Sequence, residues 1–431
     1  MSIKRSPVLI ALSQLNGVDL KLNQHYSRVT DDKGRYLPFD EFCRRTSSGE
    51  NVSIAWTLTR RARGSAMQRI HYRNETGDQA GFVLTPNIMS VCEQVDKHAT
   101  RLTLKELTAR LRGREELTAL SMEEPITSSQ LEGANTTTLV ARDMFESSRA
   151  PRTEDEHMIA GNARLMAEIP DLLQEPLTPD LIRRFHAVGM GGINDEKYRP
   201  GEFRDTDDVV IADYDGNIVH QPPAATDLQV RLQMVCDFVN DTGSYVHSLV
   251  KACVLHFMIA HEPPFRDGNE RTSRGLFYWY MLKSEYDVFK YISISQLLHA
   301  APAKYAHSYQ YTETDDMDLT YYLEYQASII HRAMTRLLQY VDDLVARAAR
   351  IDHFLYKSGS LSRLSGRQVT LLNIILAEPG KKYSAAGVAE ALGVSDNTAR
   401  NDLRTLAREN LLTEISENDQ KTVFKVSRDL S

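Results

Sequence analysis

The sequence predicts a mainly α protein in three parts: a mixed N-terminal region, a helical bundle with a β-hairpin, and a small α/β module. Three observations support this fold class. Apolar residues recur at helical spacing through most of residues 86–350. Two short β-rich runs flank an Asp-Gly turn inside that region. A helix-turn-helix pattern followed by two further β-rich runs ends the chain. We expect the parts to span residues 1–95, 96–355 and 362–431.

The composition is that of an ordinary globular protein. The 431 residues carry a formal net charge of -7, with 42% apolar and 25% charged side chains. This balance argues against a surface coated with basic residues for nucleic acid, although a local DNA-binding face remains compatible with it. No apolar run approaches about 18 residues, so no membrane span is predicted. Scattered cysteines and the lack of a signal-peptide pattern predict a cytoplasmic protein.

Local patterns place the elements along the chain. Residues 1–85 predict short strands and loops, for example at 8–10 and 81–84. A turn at Asp215-Gly216 between residues 209–211 and 218–219 predicts a hairpin. Residues 321–354 predict one long helix. One amphipathic helix is predicted from the spacing of Leu104, Leu107, Leu111 and Leu117.

The segment 261–274 carries the clearest chemistry. A helix should end at Pro263 and Pro264, which cannot extend one. A tight turn and a new helix from about Asn269 should follow, with Arg271 and Arg274 in its first turns. Helix N-terminal amides beside two guanidinium groups form an anion site. Asp267 next to them suits a hydrated divalent ion bound to phosphate. The alternative is a capped helix with exposed arginines.

These residues resemble the Fic motif, in which His-Pro-Phe precedes a variable residue, Asp or Glu, Gly-Asn-Gly-Arg and a second Arg. Residues 128–133 are similar to the family's inhibitory helix motif, and residues 198–204 to the stretch leading into its target-binding flap. Residues 276–281 and 311–316 resemble a large bacterial subgroup, so the resemblance runs from about residue 30 to residue 350. The motif positions in register are Pro264, Phe265, Asp267, Gly268, Asn269, Arg271 and Arg274.

The resemblance implies a Fic helical bundle with a β-hairpin flap and a protein adenylyltransferase (AMPylase) chemistry. It implies ATP or another nucleotide with Mg²⁺ as cofactors, and Asp267 as the magnesium ligand. It also implies an inhibitory role for Ser128, Glu132 and Gly133. In that role Glu132 pairs with the second motif arginine, Arg274; the alternative is that Glu132 is an ordinary surface glutamate. The phosphate ligands implied are Gly268, Asn269, Arg271 and Arg274.

Two departures from the motif bear on that chemistry. Pro263 occupies the position of the motif histidine, the general base that takes the proton from a target hydroxyl, and proline has no titratable group. Glu270 occupies the position of the second glycine, where a carboxylate repels a triphosphate and a side chain fills space needed by the backbone. We therefore expect weak, altered or absent transferase activity.

His261 is the one candidate for a replacement base. It continues the apolar stripe of Val250, Val254 and Phe257 at helical spacing, which predicts a side chain packed against the bundle. Positions two apart on a helix differ by about 200°, so His261 should point away from the place of the missing base. A packed core residue is the alternative that we prefer.

The C-terminal segment resembles a bacterial winged helix. A helix from about Arg367 ends at Pro379-Gly380, a short helix opens at Tyr383-Ser384, Gly393 makes the turn, and Ser395 starts a third helix. Two β-rich runs at 411–415 and 422–426 form the wing. We expect DNA binding through residues 395–428, with protein interaction as the alternative and acidic Asp396, Asp402 and Glu409 weakening the local field. The candidate DNA ligands are Asn397, Thr398, Arg400, Asn401 and Arg404.

Two functions therefore compete. The first is a Fic-type enzyme that transfers a nucleotide to a target protein docked on the 209–219 hairpin, whose strand edge suits main-chain hydrogen bonding; a surface hairpin without a partner is the alternative. The second is a transcriptional regulator in which a degenerate Fic site senses a nucleotide or other ligand and the winged helix binds DNA. Such regulators often pair, so a homodimer is expected.

Overall fold

The computed structural model describes residues 3–15, 20–111, 117, 120–193, 198–212, 218–357, 359, 363–377, 380–418 and 421–427. The chain divides into two compact units, residues 1–108 with 117–337 and residues 109–116 with 338–431. Most of the described residues are helical, and the strands among them form three small antiparallel sheets. The predicted mainly α class is therefore confirmed. None of the described helices has the length and apolar character that crossing a membrane requires.

The N-terminal region is more helical than the sequence indicated. Strand β2 lies where a strand was predicted, but residues 8–10 are irregular and most of the region is helix. The reason is tertiary packing: Trp56 on the third helix is fully buried against Phe39 and Phe42, and this burial outweighs a sequence with weak helical preference. The elements are α1 (Leu20–Tyr26), α2 (Phe39–Arg45), α3 (Val52–Ala66), β1 (Gln68–Arg73) and β2 (Gln79–Phe82).

The bundle follows as a series of helices linked by short turns. The predicted helix containing Leu104 and Leu107 ends at Arg110, and Leu111 already lies in a turn, which corrects the longer helix expected there. The predicted long helix is confirmed as α15. The helices are α4 (Pro86–His98), α5 (Arg101–Arg110), α6 (Glu123–Leu131), α7 (Thr138–Glu146), α8 (Glu154–Glu168), α9 (Pro179–Met190), α10 (Leu228–Asn240), α11 (Ser248–His261), α12 (Asn269–Lys283), α13 (Ser295–His299), α14 (Pro302–Thr314) and α15 (Thr320–Lys357).

Helix α11 lies at the centre of this unit. Every residue from 249 to 261 is buried, and the helix packs against α12, which follows it in the chain. A helix that is apolar on all sides is stable only when it is surrounded by protein. The loop between α11 and α12 is therefore held at both ends by the best-packed part of the unit.

The predicted hairpin is present. Strand β3 (Ile211–Ala212) pairs antiparallel with β4 (Ile218–His220), with Ile211 opposite His220. The turn residues 213–217, including Asp215 and Gly216, lie outside the described residues. Ile211 and Ile218 are exposed, so the hairpin presents apolar side chains to solvent.

The C-terminal segment forms three helices and a three-stranded antiparallel sheet of order β5-β7-β6. Tyr383-Ser384 is a short strand paired with β7 and not the start of a helix, because its backbone completes the sheet; Ser384 still caps the helix that follows. Gly393 makes the predicted turn with φ of 62°. The elements are α16 (Gly366–Ala377), β5 (Tyr383–Ser384), α17 (Ala385–Leu392), α18 (Asp396–Arg408), β6 (Leu412–Asn418) and β7 (Lys421–Val426).

Helix α18 buries Ala399, Leu403 and Leu406 as its spacing predicted. Its opposite face is exposed at Asn397, Arg400, Asn401 and Arg404. Thr398 differs from the prediction, because it is only partly exposed and its backbone N–H donates to the capping Ser395 hydroxyl.

The acidic residues near this face are largely neutralised. Asp402 is buried and accepts hydrogen bonds from Arg367 and Gln368, which corrects the expectation that its charge weakens the field of the exposed face. Glu409 pairs with Arg363 at 2.6 Å. Asp396 remains exposed in the first turn.

Candidate functional site

The loop between α11 and α12 follows the course that its prolines and glycine dictate. Helix α11 ends at His261, and α12 begins at Asn269, as predicted. Gly268 precedes α12 with φ of 75°, and a Cβ there would lie 2.6 Å from the sulfur of Met190. No other residue could take this position without displacing Met190. The amide groups at the start of α12 are thus presented at a fixed place.

Asn269 closes the loop on itself. Its side chain accepts from the N–H of Phe265 and donates to the carbonyl oxygen of Phe265, both at 2.8 Å. Both ends of the amide are used in these two bonds. Asn269 therefore shapes the loop, and its predicted contact with phosphate stays a prediction.

His186 supports the loop from α9 and was not identified from the sequence. Its ring stacks on Phe265 at 3.7 Å, accepts from the N–H of Gly201 at Nδ1, and donates from Nε2 to the carbonyl oxygen of Asp267. Burial lowers the pKa of His186 to about 4, so the ring is neutral. In the sequence it is one more residue on an amphipathic helix, and nothing in its spacing distinguishes it.

Arg271 is a buried cation with unused hydrogen-bond donors. Its side chain is 1% exposed, and its Nε and Nη1 groups have no hydrogen-bond partner among the described residues. The guanidinium lies 5.8 Å from the centre of the Tyr198 ring. Burial lowers the pKa of Arg271 from its ordinary value, and the charge of Glu132 opposes that shift. Unsatisfied donors on a buried charge are costly, so this position favours an anion.

Arg274, one turn further along α12, is fully occupied. It donates from Nε to the Ser128 hydroxyl at 2.9 Å and from Nη2 to Glu132 at 2.8 Å. The predicted ion pair between Glu132 and Arg274 is therefore confirmed. Glu132 caps the C-terminal end of α6, and Gly133 follows it with φ of 97°, a conformation that favours glycine.

Glu270 holds the same arginine from the other side. Its carboxylate lies 3.3 Å from Arg274 Nη1 and accepts a hydrogen bond from the Tyr305 hydroxyl at 2.8 Å. Burial raises the pKa of Glu270, but hydrogen bonding with His256 and the charge of Arg274 outweigh it and lower the pKa overall. Burial raises the pKa of Glu132 despite Arg274. Besides the predicted repulsion of phosphate, Glu270 thus has a second effect, because it forms an ion pair with Arg274.

The comparison with known families agrees with this geometry. The profile of the Fic/DOC family matches residues 176–281, which include the whole loop and most of α12. Residues 176–281 are therefore similar to a Fic/DOC domain. A solved Fic family protein from Desulfovibrio desulfuricans G20 has the same fold, with a TM-score of 0.53 over 80% of this chain and 97% of that one, at 18% identity.

One curated relative is also similar in sequence. The protein adenylyltransferase Fic of Drosophila willistoni is 37% identical over 68 residues. This match covers 16% of the present chain and only 14% of the relative. The similarity to a protein adenylyltransferase is thus limited to these 68 residues, and the chain spans only a small part of that relative's length.

His261 and Pro263 lie at the start of the loop between α11 and α12. The Pro263 carbonyl accepts from Arg204 Nε at 3.0 Å, and the backbone N–H of Arg204 donates to Pro264 at 2.9 Å. His261 is buried, stacks on Phe257 and lies 2.7 Å from the Tyr72 hydroxyl, so its predicted packing in the bundle is confirmed. Its role as a replacement base stays a prediction.

Asp267 meets the requirements of a magnesium ligand in part. It is partly exposed, and one carboxylate oxygen accepts from the N–H of Gly268 at 2.6 Å. Magnesium bound to a nucleotide commonly takes one or two protein carboxylates and completes its shell with phosphate oxygens and water. A single carboxylate near Arg271, whose pKa the charge of Asp267 also influences, fits that arrangement.

Proposed function

We propose that the Fic domain binds a nucleotide or a related phosphate ligand at Gly268 to Arg271, with weak, altered or absent transfer of AMP. The buried guanidinium of Arg271 is the observation that carries this proposal. Its Nε and Nη1 groups find no acceptor among the described residues. A phosphate oxygen would supply charge-assisted hydrogen bonds there. The first backbone N–H groups of α12 would complete this phosphate site, and Asp267 would hold Mg²⁺. We call the site from Gly268 to Arg271 the cradle.

Two features support reduced transfer. Pro263 offers no group that can take a proton from an attacking hydroxyl. Arg274, which would contact the outer phosphates, is held by Glu132 and Glu270 instead. Bound Mg²⁺ would supply charge neutralisation for phosphate. The chain's own residues would then bind and orient the ligand without activating a nucleophile.

Nucleotide binding is tested by calorimetric titration of ADP with Mg²⁺ into the full chain. We expect binding by the wild type, and a loss of about tenfold or more in Arg271→Met, because charge-assisted hydrogen bonds contribute about 1.5–3 kcal/mol each. Arg266→Met is the matched control. It removes an equal charge from the same loop, but Arg266 is only paired with the exposed Asp205. Its affinity should stay within about threefold of wild type.

The outcome that contradicts the proposal is equally defined. If Arg271→Met and Arg266→Met bind ADP as tightly as the wild type, the nucleotide does not use the cradle. If the wild type binds no nucleotide while its thermal melting is normal, the cradle is not a nucleotide site. Labelling with radioactive ATP in parallel separates binding from transfer, since we expect little or no label on protein.

A second function, DNA binding by the C-terminal unit, is supported by a separate observation. Arg400 and Arg404 are exposed on α18, together with Asn397 and Asn401, while Asp402 is paired with Arg367 beneath them. Arginine and asparagine are suited to base edges and phosphates. The helix, turn and β6–β7 hairpin have the order of a winged helix. Under this proposal the Fic site senses a ligand and the unit regulates transcription.

DNA binding is tested by fluorescence polarisation with duplex DNA over a range of salt concentrations. Each phosphate contact contributes about 0.9 to the slope of log affinity against log salt. We expect Arg400→Ala and Arg404→Ala each to lower the slope by about one. Arg363→Ala is the control, because its guanidinium is bound to Glu409 at 2.6 Å, closer than the 3.6 Å between Arg404 and the exposed Glu414. Identical slopes in all variants, or no binding by the wild type, would favour the protein-interaction alternative.

A further inference from the structure

A cluster of two histidines and one glutamate lies at the end of α11, beside the Fic loop. His261 is the last residue of α11, His220 belongs to β4, and Glu313 belongs to α14. One ligand atom from each lies within 4.8 Å of the other two. His261 is 3% exposed, and the side chains of His220 and Glu313 are 10% and 20% exposed. The cluster joins three elements distant in sequence.

The hydrogen bonds fix the proton on His220. Its Nε2 lies 2.8 Å from the carbonyl oxygen of His261, which can only accept, so Nε2 carries the hydrogen. In the neutral form of the ring, Nδ1 then carries a lone pair. That atom lies 3.3 Å from a carboxylate oxygen of Glu313, which is also an acceptor.

The same reasoning fixes the proton on His261. The Tyr72 hydroxyl donates its only hydrogen to Glu262, whose carboxylate is held in a two-pronged ion pair with Arg231 at 2.6 Å. The Tyr72 oxygen can then only accept, and it does so from Nδ1 of His261 at 2.7 Å. Nε2 of His261 is left with a lone pair, 3.9 Å from Glu313. With both rings neutral, three acceptor atoms therefore converge.

We propose that Nδ1 of His220, Nε2 of His261 and the Glu313 carboxylate bind one divalent transition metal ion of the zinc class. Two imidazoles and a carboxylate are a ligand set typical of zinc sites that keep a fourth position for water. Ligand atoms of a tetrahedral zinc site lie about 3.4 Å apart. The two separations from Glu313, 3.3 Å and 3.9 Å, approach that value, and the three ligand atoms all lie within 4.8 Å of one another. Side-chain rotations would close the remainder.

The surroundings of the cluster are those of a metal site. Histidine ligands of metals usually donate their other ring N–H to a carbonyl, carboxylate or similar acceptor. His220 does so to the His261 carbonyl, and His261 does so to Tyr72, which is fixed in turn by Glu262. The bound ion would tie the hairpin strand β4 to the bundle next to the Fic loop. This site uses none of the residues of the nucleotide proposal.

The test is zinc binding by the untagged full chain after removal of metal with a chelator. Titration against a chromophoric zinc chelator should give one equivalent bound in the wild type. His220→Gln and Glu313→Gln should each weaken zinc binding about tenfold or more, since each removes one of three ligands. His299→Gln is the control, because His299 is exposed at the end of α13. Its zinc affinity should equal that of the wild type.

Two further measurements distinguish the loss of this zinc site from misfolding of a variant and from zinc binding elsewhere on the chain. Zinc should raise the melting temperature of the wild type and not that of Glu313→Gln. Cobalt as a probe should give the intense visible absorption of a low-coordinate site in the wild type alone. No stoichiometric zinc in the wild type, or equal affinity in the Gln variants, would overturn the site and leave a proton between His220 and Glu313. Arg271→Met should bind zinc normally, so this proposal and the nucleotide proposal fail independently.

Discussion

Pro263→His combined with Glu270→Gly and Glu132→Ala is expected to create transfer of AMP from ATP to a protein hydroxyl. The first change restores a titratable group at the start of the loop. The other two remove the carboxylates that hold Arg274 at 2.8 Å and 3.3 Å and free its guanidinium for phosphate. The restored histidine would take the hydroxyl proton as the oxygen bonds to the α-phosphate and pyrophosphate leaves. A positioned general base contributes about 10²–10⁴-fold to rate.

The two carboxylates are expected to act together. Because Glu132 and Glu270 both bind Arg274, removing either one leaves the other in place. Glu132→Ala alone should therefore strengthen nucleotide binding only slightly, and the double variant should strengthen it more than the sum of the single changes predicts. Such non-additivity is the ordinary signature of groups that share one partner.

Radioactive ATP labelled at the α-phosphate provides the measurement, with label counted on the variant itself and on added cell lysate. The matched control carries Pro263→Ala with the same two carboxylate changes. It frees the backbone in the same way and supplies no base, so it should bind nucleotide without transferring label. A histidine-containing triple variant that binds ATP and melts normally, yet transfers no more label than this control, would show that more than the base is missing from the site.

The loop was predictable because its residues restrict the backbone locally. The prolines at 263 and 264 cannot extend the helix that precedes them, and the positive φ at position 268 favours glycine. The Glu132–Arg274 pair was also predictable, but only through resemblance, since the two residues are 142 positions apart. Spacing along a single helix gives no information about such a pair.

What the sequence could not provide is the pairing of polar side chains between distant elements. His186, Tyr72 and Tyr305 contact the loop region from α9, β1 and α14, and each looks like an ordinary helix or strand residue in the sequence. The position of Glu270 was visible, yet its capture of Arg274 depends on how α12 faces α6. The N-terminal region was misjudged for the same reason, because its helices are stabilised by packing of Trp56 and not by local preference.

Arg60→Met is expected to lower the free energy of unfolding of the unit formed by residues 1–108 and 117–337 by about 3–5 kcal/mol. Arg60 on α3 is 8% exposed and binds Asp315 at 3.1 Å and Asp318 at 3.0 Å. Asp318 is fully buried and also accepts from the Tyr36 hydroxyl at 2.6 Å. Removing the guanidinium would leave two carboxylates in the protein interior without their cation. Urea denaturation followed by tryptophan fluorescence measures the effect, with Trp56 one turn away on α3.

Asp316→Asn is the matched control, because Asp316 binds the same arginine at 3.1 Å from a side chain that is 68% exposed. Exposed ion pairs contribute about 0–1 kcal/mol, so this variant should unfold nearly as the wild type does. If both variants are as stable as the wild type, Arg60 is not needed to compensate the buried carboxylates. A similar loss in both would indicate that the whole turn, and not burial of charge, determines stability.

The cost of Arg60→Met should also depend on pH. Burial already raises the pKa of Asp315 above its ordinary value, and Arg60 is the largest influence that opposes the rise. Without Arg60 the folded-state pKa rises further above the unfolded value, so the folded protein takes up a proton more readily than the unfolded chain. At a pH above the folded-state pKa of Asp315, the loss of unfolding free energy is complete. It disappears as the pH falls through that pKa towards the pKa of Asp315 in the unfolded chain, about 4. The difference from wild type should be largest at neutral pH and shrink on acidification, whereas a loss of packing alone would give a difference that does not change with pH.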